Sequence, residues 1–146
     1  MKLYQLMFLL LFTSVLTASC TLKSEFILSS PDGKIKAVIE YDREQGMLTY
    51  HVVSREKEII SPGRIGINTD AGDFGSGVKL KKTASGIVDE NYTLPQGKVS
   101  EYHNSANEQL LTVRKGKQSL DIRFRVYDDG VAFRYEIPGE GEITIF

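Results

Sequence analysis

Alternating apolar and polar residues in the last third of the chain predict a β-hairpin. Apolar side chains occupy every second position across 120–126 and again across 131–137. This period of two is typical of strands that bury one face, and it predicts a core position for Phe133. The Asp129-Gly130 pair between the two runs is a strong hairpin signal, and it predicts a positive φ at Gly130.

Shorter runs that are predicted as strands, separated by turn residues, precede this hairpin. They cover 35–41, 47–53, 58–61, 64–69 and 108–114. Ser30-Pro31-Asp32-Gly33 predicts a turn, and Pro62-Gly63 is predicted to end the strand before it. After the first twenty or so residues, no apolar period of about 3.6 is long enough to predict a helix. Many short strands with frequent turns predict an all-β, mostly antiparallel β-sandwich.

A third alternating run, at 142–146, follows the glycine-containing segment 139–141. Because the apolar pattern is still running at Phe146, we expect the chain to be part of a larger protein. An incomplete sheet would expose an unpaired strand edge at 143–146, which favours aggregation.

Residues 1–20 predict a signal-peptide helix. Lys2 supplies a positive charge, an apolar run follows at 6–15, and small residues precede Cys20. Cys20 is the only cysteine, so no intrachain disulfide can form. Ala18-Ser19-Cys20 resembles the lipobox of bacterial lipoproteins, with Thr17 where leucine is usual, and predicts lipid attachment at Cys20. Ordinary signal-peptidase cleavage nearby is the alternative. Both predict an exported β-domain at 21–146, in the periplasm or anchored to the outer membrane.

Composition narrows the range of partners. Charged residues make up 25% of the chain and hydrophobic residues 41%, which is ordinary for a globular fold. The net charge of −1 gives no basis for nucleic-acid binding, which needs concentrated lysine and arginine. Membrane contact is expected only through the lipid anchor.

The sequence contains no motif for nucleophilic catalysis, phosphate binding or dinucleotide binding. Of its two histidines, His51 is predicted on an exposed strand face and His103 in a polar, loop-like segment. The carboxylate pairs that could serve glycoside hydrolysis are all predicted in turns; they are Asp128/Asp129, Asp89/Glu90 and Glu140/Glu142. No catalytic residue and no metal ligand is therefore assigned in this chain.

Several short motifs occur in an order found in a known protein family. They are SPDGK at 30–34, RIGI at 64–67, YTLPQGK at 92–98, Asn107-Glu108, and YDDGVAFRY at 127–135. Together they resemble the N-terminal domain of glycoside hydrolase family 97, a family of exported bacterial α-glucosidases and α-galactosidases. The segment at 127–135 is the most specific of these motifs.

The resemblance implies a β-supersandwich that precedes a catalytic (β/α)8 barrel and a small C-terminal β-domain. Because the N-terminal domain of the family is longer than this chain, the resemblance also implies that the sandwich is incomplete here. It also implies a calcium ion in the active site of the full-length enzyme, held by glutamates near an α-linked oligosaccharide. The catalytic carboxylates are implied to lie on the barrel, so this chain alone is expected to be inactive.

Three residues are candidate carbohydrate contacts. Asn107 and Glu108 match an H-Y-N-E-like run of the family, although residues 103–106 depart from it. The departure leaves a structural alternative open, in which Asn107 and Glu108 satisfy backbone groups at the start of a strand. Tyr102 and its companion Tyr92 lie outside the alternating core pattern, which makes them candidates for stacking on a sugar.

Three classes of function remain open. The primary hypothesis is the front portion of an α-glycosidase, which supplies a scaffold and one wall of the active site. The alternatives are a free-standing exported carbohydrate-binding module and a structural lipoprotein without a carbohydrate ligand.

Overall fold

The computed structural model describes residues 23–70, 72–93, 95 and 101–146. Every regular element in these residues is a β-strand, which confirms the predicted all-β class. The strands are β1 (Lys23–Ser29), β2 (Ile35–Asp42), β3 (Met47–Ser54), β4 (Lys57–Ile65), β5 (Asn68–Thr69), β6 (Gly72–Asp73), β7 (Lys79–Thr93), β8 (Glu101–Lys115), β9 (Gln118–Tyr127) and β10 (Val131–Glu136).

Two four-stranded antiparallel sheets pack face to face. The front sheet has the order β1-β2-β3-β4, and the back sheet has the order β10-β9-β8-β7. In both sheets each strand pairs with its neighbour in sequence, so each sheet is a simple meander. The short strands β5 and β6 form a separate two-stranded ladder. This arrangement confirms the predicted antiparallel β-sandwich.

The core lies between the two sheets and follows the alternating pattern of the sequence. Leu120, Ile122, Phe124 and Val126 of β9 are each at most 1% exposed. Residues of β2, β3 and β4 pack against them from the front sheet; they are Ile35, Ala37, Ile39, Tyr41, Leu48, Val52 and Ile65. Burial of one face on each sheet is the main stabilising term of such a sandwich.

The prediction that Pro62-Gly63 ends a strand is wrong. β4 runs through both residues to Ile65, and its register against β3 shifts around His51. β4 is an edge strand of the front sheet, and an edge strand tolerates proline because its missing N–H can face away from the ladder. The register shift provides the irregularity at which proline fits.

Two polar segments predicted as a loop and a turn are strands. His103 lies in β8 and the Asp89-Glu90 pair lies in β7, within a continuous ladder that reaches Thr93 paired with Glu101. Among the described residues, β9 pairs with β8 only from Ala106 onwards, so positions 101–105 and 89–93 form a two-stranded ribbon. Little of this ribbon is buried, which explains why its sequence carries no apolar alternation.

The hairpin between β9 and β10 forms as predicted, but two details differ. Gly130 does not have a positive φ, because the two loop positions are Asp128 and Asp129. The Tyr127 N–H donates to the Gly130 carbonyl over 2.8 Å, so Gly130 closes the two-residue loop and directly precedes β10. Phe133 is 38% exposed because β10 is an edge strand, although its ring still contacts core aromatic rings.

The alternating run at 142–146 forms a single β-bridge instead of a regular strand. Ile145 pairs with Thr69, the Asp70 N–H donates to the Thr144 carbonyl over 3.1 Å, and the Phe146 N–H donates to the Asn68 carbonyl over 3.0 Å. The edge predicted to be unpaired therefore has a partner in β5, although the apolar side chains of Ile145 and Phe146 stay exposed. None of the described residues forms a helix suited to crossing a bilayer. The predicted signal peptide and Cys20 lie outside the described residues.

Candidate functional site

The three predicted carbohydrate contacts all lie on β8, but the structure does not bring them together. Asn107 and Glu108 are consecutive strand residues, so their side chains point to opposite faces of the back sheet. Tyr102 lies near the free end of the two-stranded ribbon, beyond the last residue of β8 that pairs with β9. Their role in substrate binding stays a prediction.

Asn107 connects the two sheets. Its Nδ2 donates a hydrogen bond to the Ser29 carbonyl at the end of β1, over 2.8 Å. The Ser29 carbonyl lies in an edge strand, where it has no neighbour on the outer side of the sheet. The alternative in which Asn107 satisfies a backbone group therefore agrees with this hydrogen bond, although Asn107 lies in the middle of a strand and not at its start.

Glu108 lies at the centre of an ion-pair network on the outer face of the back sheet. Its two carboxylate oxygens accept hydrogen bonds from Arg123 and from Arg125, the latter over 2.8 Å. Arg123 also binds Glu136 in a bidentate arrangement, at 2.8 and 3.1 Å. Arg134 donates to the same Glu136 carboxylate over 2.6 Å. The network thus runs across three neighbouring strands, β8, β9 and β10.

The network fixes the charge of its members. The hydrogen bond from Arg123 lowers the pKa of Glu136 to about 2. Burial alone would raise the pKa of Glu108, but the hydrogen bonds from Arg125 and Arg123 outweigh it and hold that pKa below its usual value. The hydrogen bond to Glu136 raises the pKa of Arg123 further above its usual value. All three groups stay ionised at neutral pH.

A shallow cleft of about 150 Å³ opens beside this network. The cleft is lined by Arg123, Arg125, Tyr127, Ala132, Phe133 and Arg134. The apolar alternation at 120–126 and 131–137 places the arginines between the apolar positions on the solvent face of the hairpin, but it does not reveal their acidic partners. One acidic partner, Glu108, lies on the preceding strand. Its pairing with Arg125 depends on the register of β8 against β9, which cannot be read from the sequence.

Tyr102 stacks on Tyr92 across the ribbon. Their ring centroids are 5.4 Å apart and the ring planes are inclined by 10°. Tyr92 is 46% exposed, and Tyr102 is half-buried. These two tyrosines, which were singled out from the sequence as a pair, are therefore in contact in the structure.

The remaining polar candidates offer no ready metal site. His103 Nε2 lies 2.7 Å from Asp89 Oδ1 on the ribbon, and both side chains are exposed. Within the described ranges, no three His, Cys, Asp or Glu side chains cluster as metal ligands would. Glu108, which is only 15% exposed, already faces two guanidinium groups, so its surroundings do not fit a cation.

A family model described as "Glycosyl-hydrolase 97 N-terminal" matches residues 28–146 of the chain. Among curated proteins, a retaining alpha-galactosidase of Bacteroides thetaiotaomicron is 36% identical over 133 residues, which are 90% of this chain and 19% of the relative. A probable retaining alpha-galactosidase of Streptomyces bingchenggensis is 30% identical over 124 residues, or 82% of this chain and 20% of the relative. The chain thus spans about a fifth of the length of these relatives.

Solved structures share the fold. A beta-arabinopyranosidase superimposes with a TM-score of 0.75 and 29% sequence identity. The superposition covers 84% of this chain and 20% of the arabinopyranosidase chain. A glycoside hydrolase family 97 enzyme from Pseudoalteromonas sp. strain K8, in complex with panose, gives a TM-score of 0.70 and 27% sequence identity. That superposition covers 82% of this chain and 19% of the enzyme chain. The resemblance carried by the motifs at 30–34 and 127–135 is thereby confirmed, and the chain belongs to the glycosyl-hydrolase 97 N-terminal family.

Proposed function

We propose that this chain is the non-catalytic N-terminal β-sandwich portion of an α-glucosidase or α-galactosidase, acting as a scaffold and one wall of the active site beside a (β/α)8 barrel. The observation that carries the proposal is the family match over 28–146 in a chain that spans about a fifth of its curated relatives. In this proposal the substrate is an α-linked oligosaccharide. The names of the relatives, which include two alpha-galactosidases and an enzyme in complex with panose, support that class.

The contacts of Glu108, Glu136 and Asp128 support a non-catalytic role for these three carboxylates. Glycoside hydrolysis needs one carboxylic acid that donates a proton and one carboxylate that faces the sugar or a water. Glu108 and Glu136 are held ionised by arginines, so neither can donate a proton at neutral pH. Asp128 accepts the Asp32 N–H over 2.8 Å and serves the turn between β1 and β2. The acid and base of the reaction would come from the barrel.

Calcium belongs to the full-length enzyme in this proposal. The ion would polarise the glycosidic site when bound. Glu108 faces arginines instead of a gap that a cation could fill, so Glu108 is not assigned as a ligand. The contribution of this chain is to hold a rigid sheet against the domain that binds the ion.

We also propose that the protein is exported and attached to a membrane through Cys20. The support is the order of charged, apolar and small residues at 1–20. Labelling of producing cells with a fatty-acid analogue should mark the wild-type chain and leave Cys20→Ser unmarked. Export without any label on the wild type would instead indicate ordinary signal-peptidase cleavage.

Sequencing of the genomic DNA beyond the codon for Phe146 tests the main proposal. The expected result is a reading frame, open or restored by a single-base shift, that encodes a barrel with paired carboxylates. A stop codon followed by unrelated sequence would contradict the proposal and favour a free-standing carbohydrate-binding module. As a companion test, the purified chain alone should release no nitrophenol from nitrophenyl α-glucoside or α-galactoside.

A further inference from the structure

The end of the β7–β8 ribbon that lies away from β9 carries an aromatic pair. Tyr92 and Tyr102 are cross-strand partners, and they lie four rungs beyond Ala106, the last residue of β8 paired with β9. Other aromatic side chains, such as those of Phe124 and Tyr50, contact each other at the core of the sandwich. The Tyr92–Tyr102 pair is separated from that core along the sheet.

The pair leaves part of its aromatic surface exposed to solvent. The two rings are inclined by only 10° and stack at 5.4 Å, and Tyr92 remains 46% exposed. The next rung on the same face is Glu90 paired with Asn104. A carboxylate and an amide therefore flank the aromatic rings, on the outer face of the sheet that also carries Glu108.

We propose that Tyr92 and Tyr102 form a binding platform for a neutral pyranose ring of an α-linked glycan. The apolar C–H face of a pyranose packs against the electron-rich face of an aromatic ring. Glu90 supplies hydrogen-bond acceptors for sugar hydroxyls, and Asn104 supplies a donor and an acceptor. This proposal depends on the proposed function in one respect, the choice of an α-linked glycan as the ligand. The binding of a sugar to the two rings needs no catalytic barrel.

A purely structural role makes a different prediction. Cross-strand aromatic pairs stabilise two-stranded ribbons, which are only marginally stable alone. If that were their only role, Glu90 and Asn104 would have no effect on sugar binding, since neither contributes to the stacked rings. Substitutions at this flanking rung therefore separate the two roles.

A tyrosine-detected titration tests the platform directly. The purified chain, labelled with ¹³C on its tyrosine rings, is titrated with panose and with melibiose, and sorbitol is the control for a polyol without a ring face. The expected result is a saturable shift confined to the signals of Tyr92 and Tyr102 with either sugar, and none with sorbitol. Tyr92→Ala should weaken binding by about tenfold or more, in line with the loss of one stacked ring.

Three further variants complete the test. Glu90→Ala with Asn104→Ala should weaken binding several-fold while the ring signals of Tyr92 and Tyr102 keep their positions. Tyr92→Phe, which preserves the stack, should bind nearly as the wild type does. Ile87→Ala, a change of an 81% exposed apolar residue on the opposite face of β7 and outside the ribbon, should leave the affinity unchanged.

The platform is overturned if neither sugar gives a saturable shift, if sorbitol gives the same shift, or if Ile87→Ala weakens binding as much as Tyr92→Ala does. It is also overturned if the Glu90→Ala, Asn104→Ala double variant binds as the wild type does. These outcomes are independent of the genomic test. A barrel encoded downstream together with a negative titration would keep the proposed function and remove only the platform.

Discussion

Gly46, in the turn between β2 and β3, leaves no room for a side chain. Its φ is +58°, and an added Cβ would lie 2.6 Å from the Val78 carbonyl oxygen and 2.7 Å from the Val78 nitrogen. The close approach allows the Val78 N–H to donate to the Gly46 carbonyl over 3.0 Å. This contact ties the turn to the segment that leads into β7.

Gly46→Ala should lower the free energy of unfolding by about 2 kcal/mol or more, because the methyl group meets backbone atoms and the residue needs a positive φ. Gly130→Ala is the matched control, since Gly130 lacks a positive φ and nothing lies within 4 Å of its added Cβ. That control should change stability by less than about 0.5 kcal/mol. Urea unfolding followed by circular dichroism measures both, and equal losses would contradict the assigned turn.

Glu136 should make stability depend on pH in the acid range. Its pKa is about 2 in the folded protein, where Arg123 binds the carboxylate, and 4.5 is the ordinary value. Because the Glu136 carboxylate binds a proton more weakly in the folded state than in the unfolded state, ionised Glu136 stabilises the fold. This contribution to the free energy of unfolding is complete above about pH 4.5 and is lost as the pH falls towards 2. Glu136→Gln should therefore lower the melting temperature at pH 6 and have little effect near pH 2.

Glu44→Gln provides a control for this measurement, because Glu44 is an exposed residue of the β2–β3 turn. Melting curves of that variant should parallel those of the wild type between pH 2 and 6. If the gap between the wild type and Glu136→Gln stayed constant over this range, the ion pair with Arg123 would not contribute to stability.

At the scale of elements, the β9–β10 hairpin has an inner strand and an edge strand of unequal burial. Phe124 of β9 is fully buried, whereas Phe133 of β10 is 38% exposed. Their rings stack with centroids 5.2 Å apart, and Tyr50 of the front sheet contacts both. The two residues are cross-strand partners in direct contact, so variants of the two show how burial alone changes the stability contributed by a phenylalanine.

Phe124→Ala should cost about 3–5 kcal/mol, because it leaves a cavity between the sheets. Phe133→Ala should cost about 1–2 kcal/mol, since part of that ring is already in water. Denaturant unfolding of the two variants side by side gives both values. A larger loss at Phe133 than at Phe124 would mean that β10 is covered in solution.

The alternation of apolar and polar residues predicts a strand well where one face of the strand is buried. It predicts a strand poorly where both faces are exposed. The alternation at 120–126 gave β9 its correct inner face, whereas the polar ends of β7 and β8 carry no such pattern and were predicted as a turn and a loop. Their pairing continues the register of the ladder nearer the core, so each rung is supported by its neighbour, which is a cooperative effect. That cooperative effect has no local signature in the sequence.

At the scale of the whole molecule, a few side-chain hydrogen bonds join the sheets around the apolar core. The Tyr41 hydroxyl donates to the Val78 carbonyl over 2.8 Å and accepts the Leu80 N–H over 3.3 Å. The Tyr135 hydroxyl lies 3.1 Å from both the N–H and the carbonyl of Gly66. Both contacts link one sheet to backbone at the border of the other.

Tyr41→Phe should destabilise the fold by about 1–3 kcal/mol, because Tyr41 is only 6% exposed and its backbone partners lose a hydrogen bond in a buried place. Tyr135→Phe should cost about 1 kcal/mol or less, because water can replace its hydroxyl. Thermal unfolding of both variants tests this order. The reverse order would show that the Tyr135 contact contributes more to holding the sheets together than the Tyr41 contact does.

The sequence alone determined the all-β class, the turn at 30–33, the inner face of β9 and the family. Each of these depends on neighbouring residues, on a period of two, or on a motif that is contiguous in the chain. The candidate site is predicted only in part: Tyr92 and Tyr102 both fall outside the core pattern of the sequence, but nothing in the sequence predicts that their rings stack.

Only the tertiary structure decided which side chains meet. The register of β8 against β9 places Glu108 beside Arg125, and a shift by one residue would turn Glu108 to the other face. Asn107 reaches the Ser29 carbonyl 78 residues earlier in the chain because the two sheets pack face to face. Such contacts arise from the packing of both sheets around a shared core, so local sequence could not specify them.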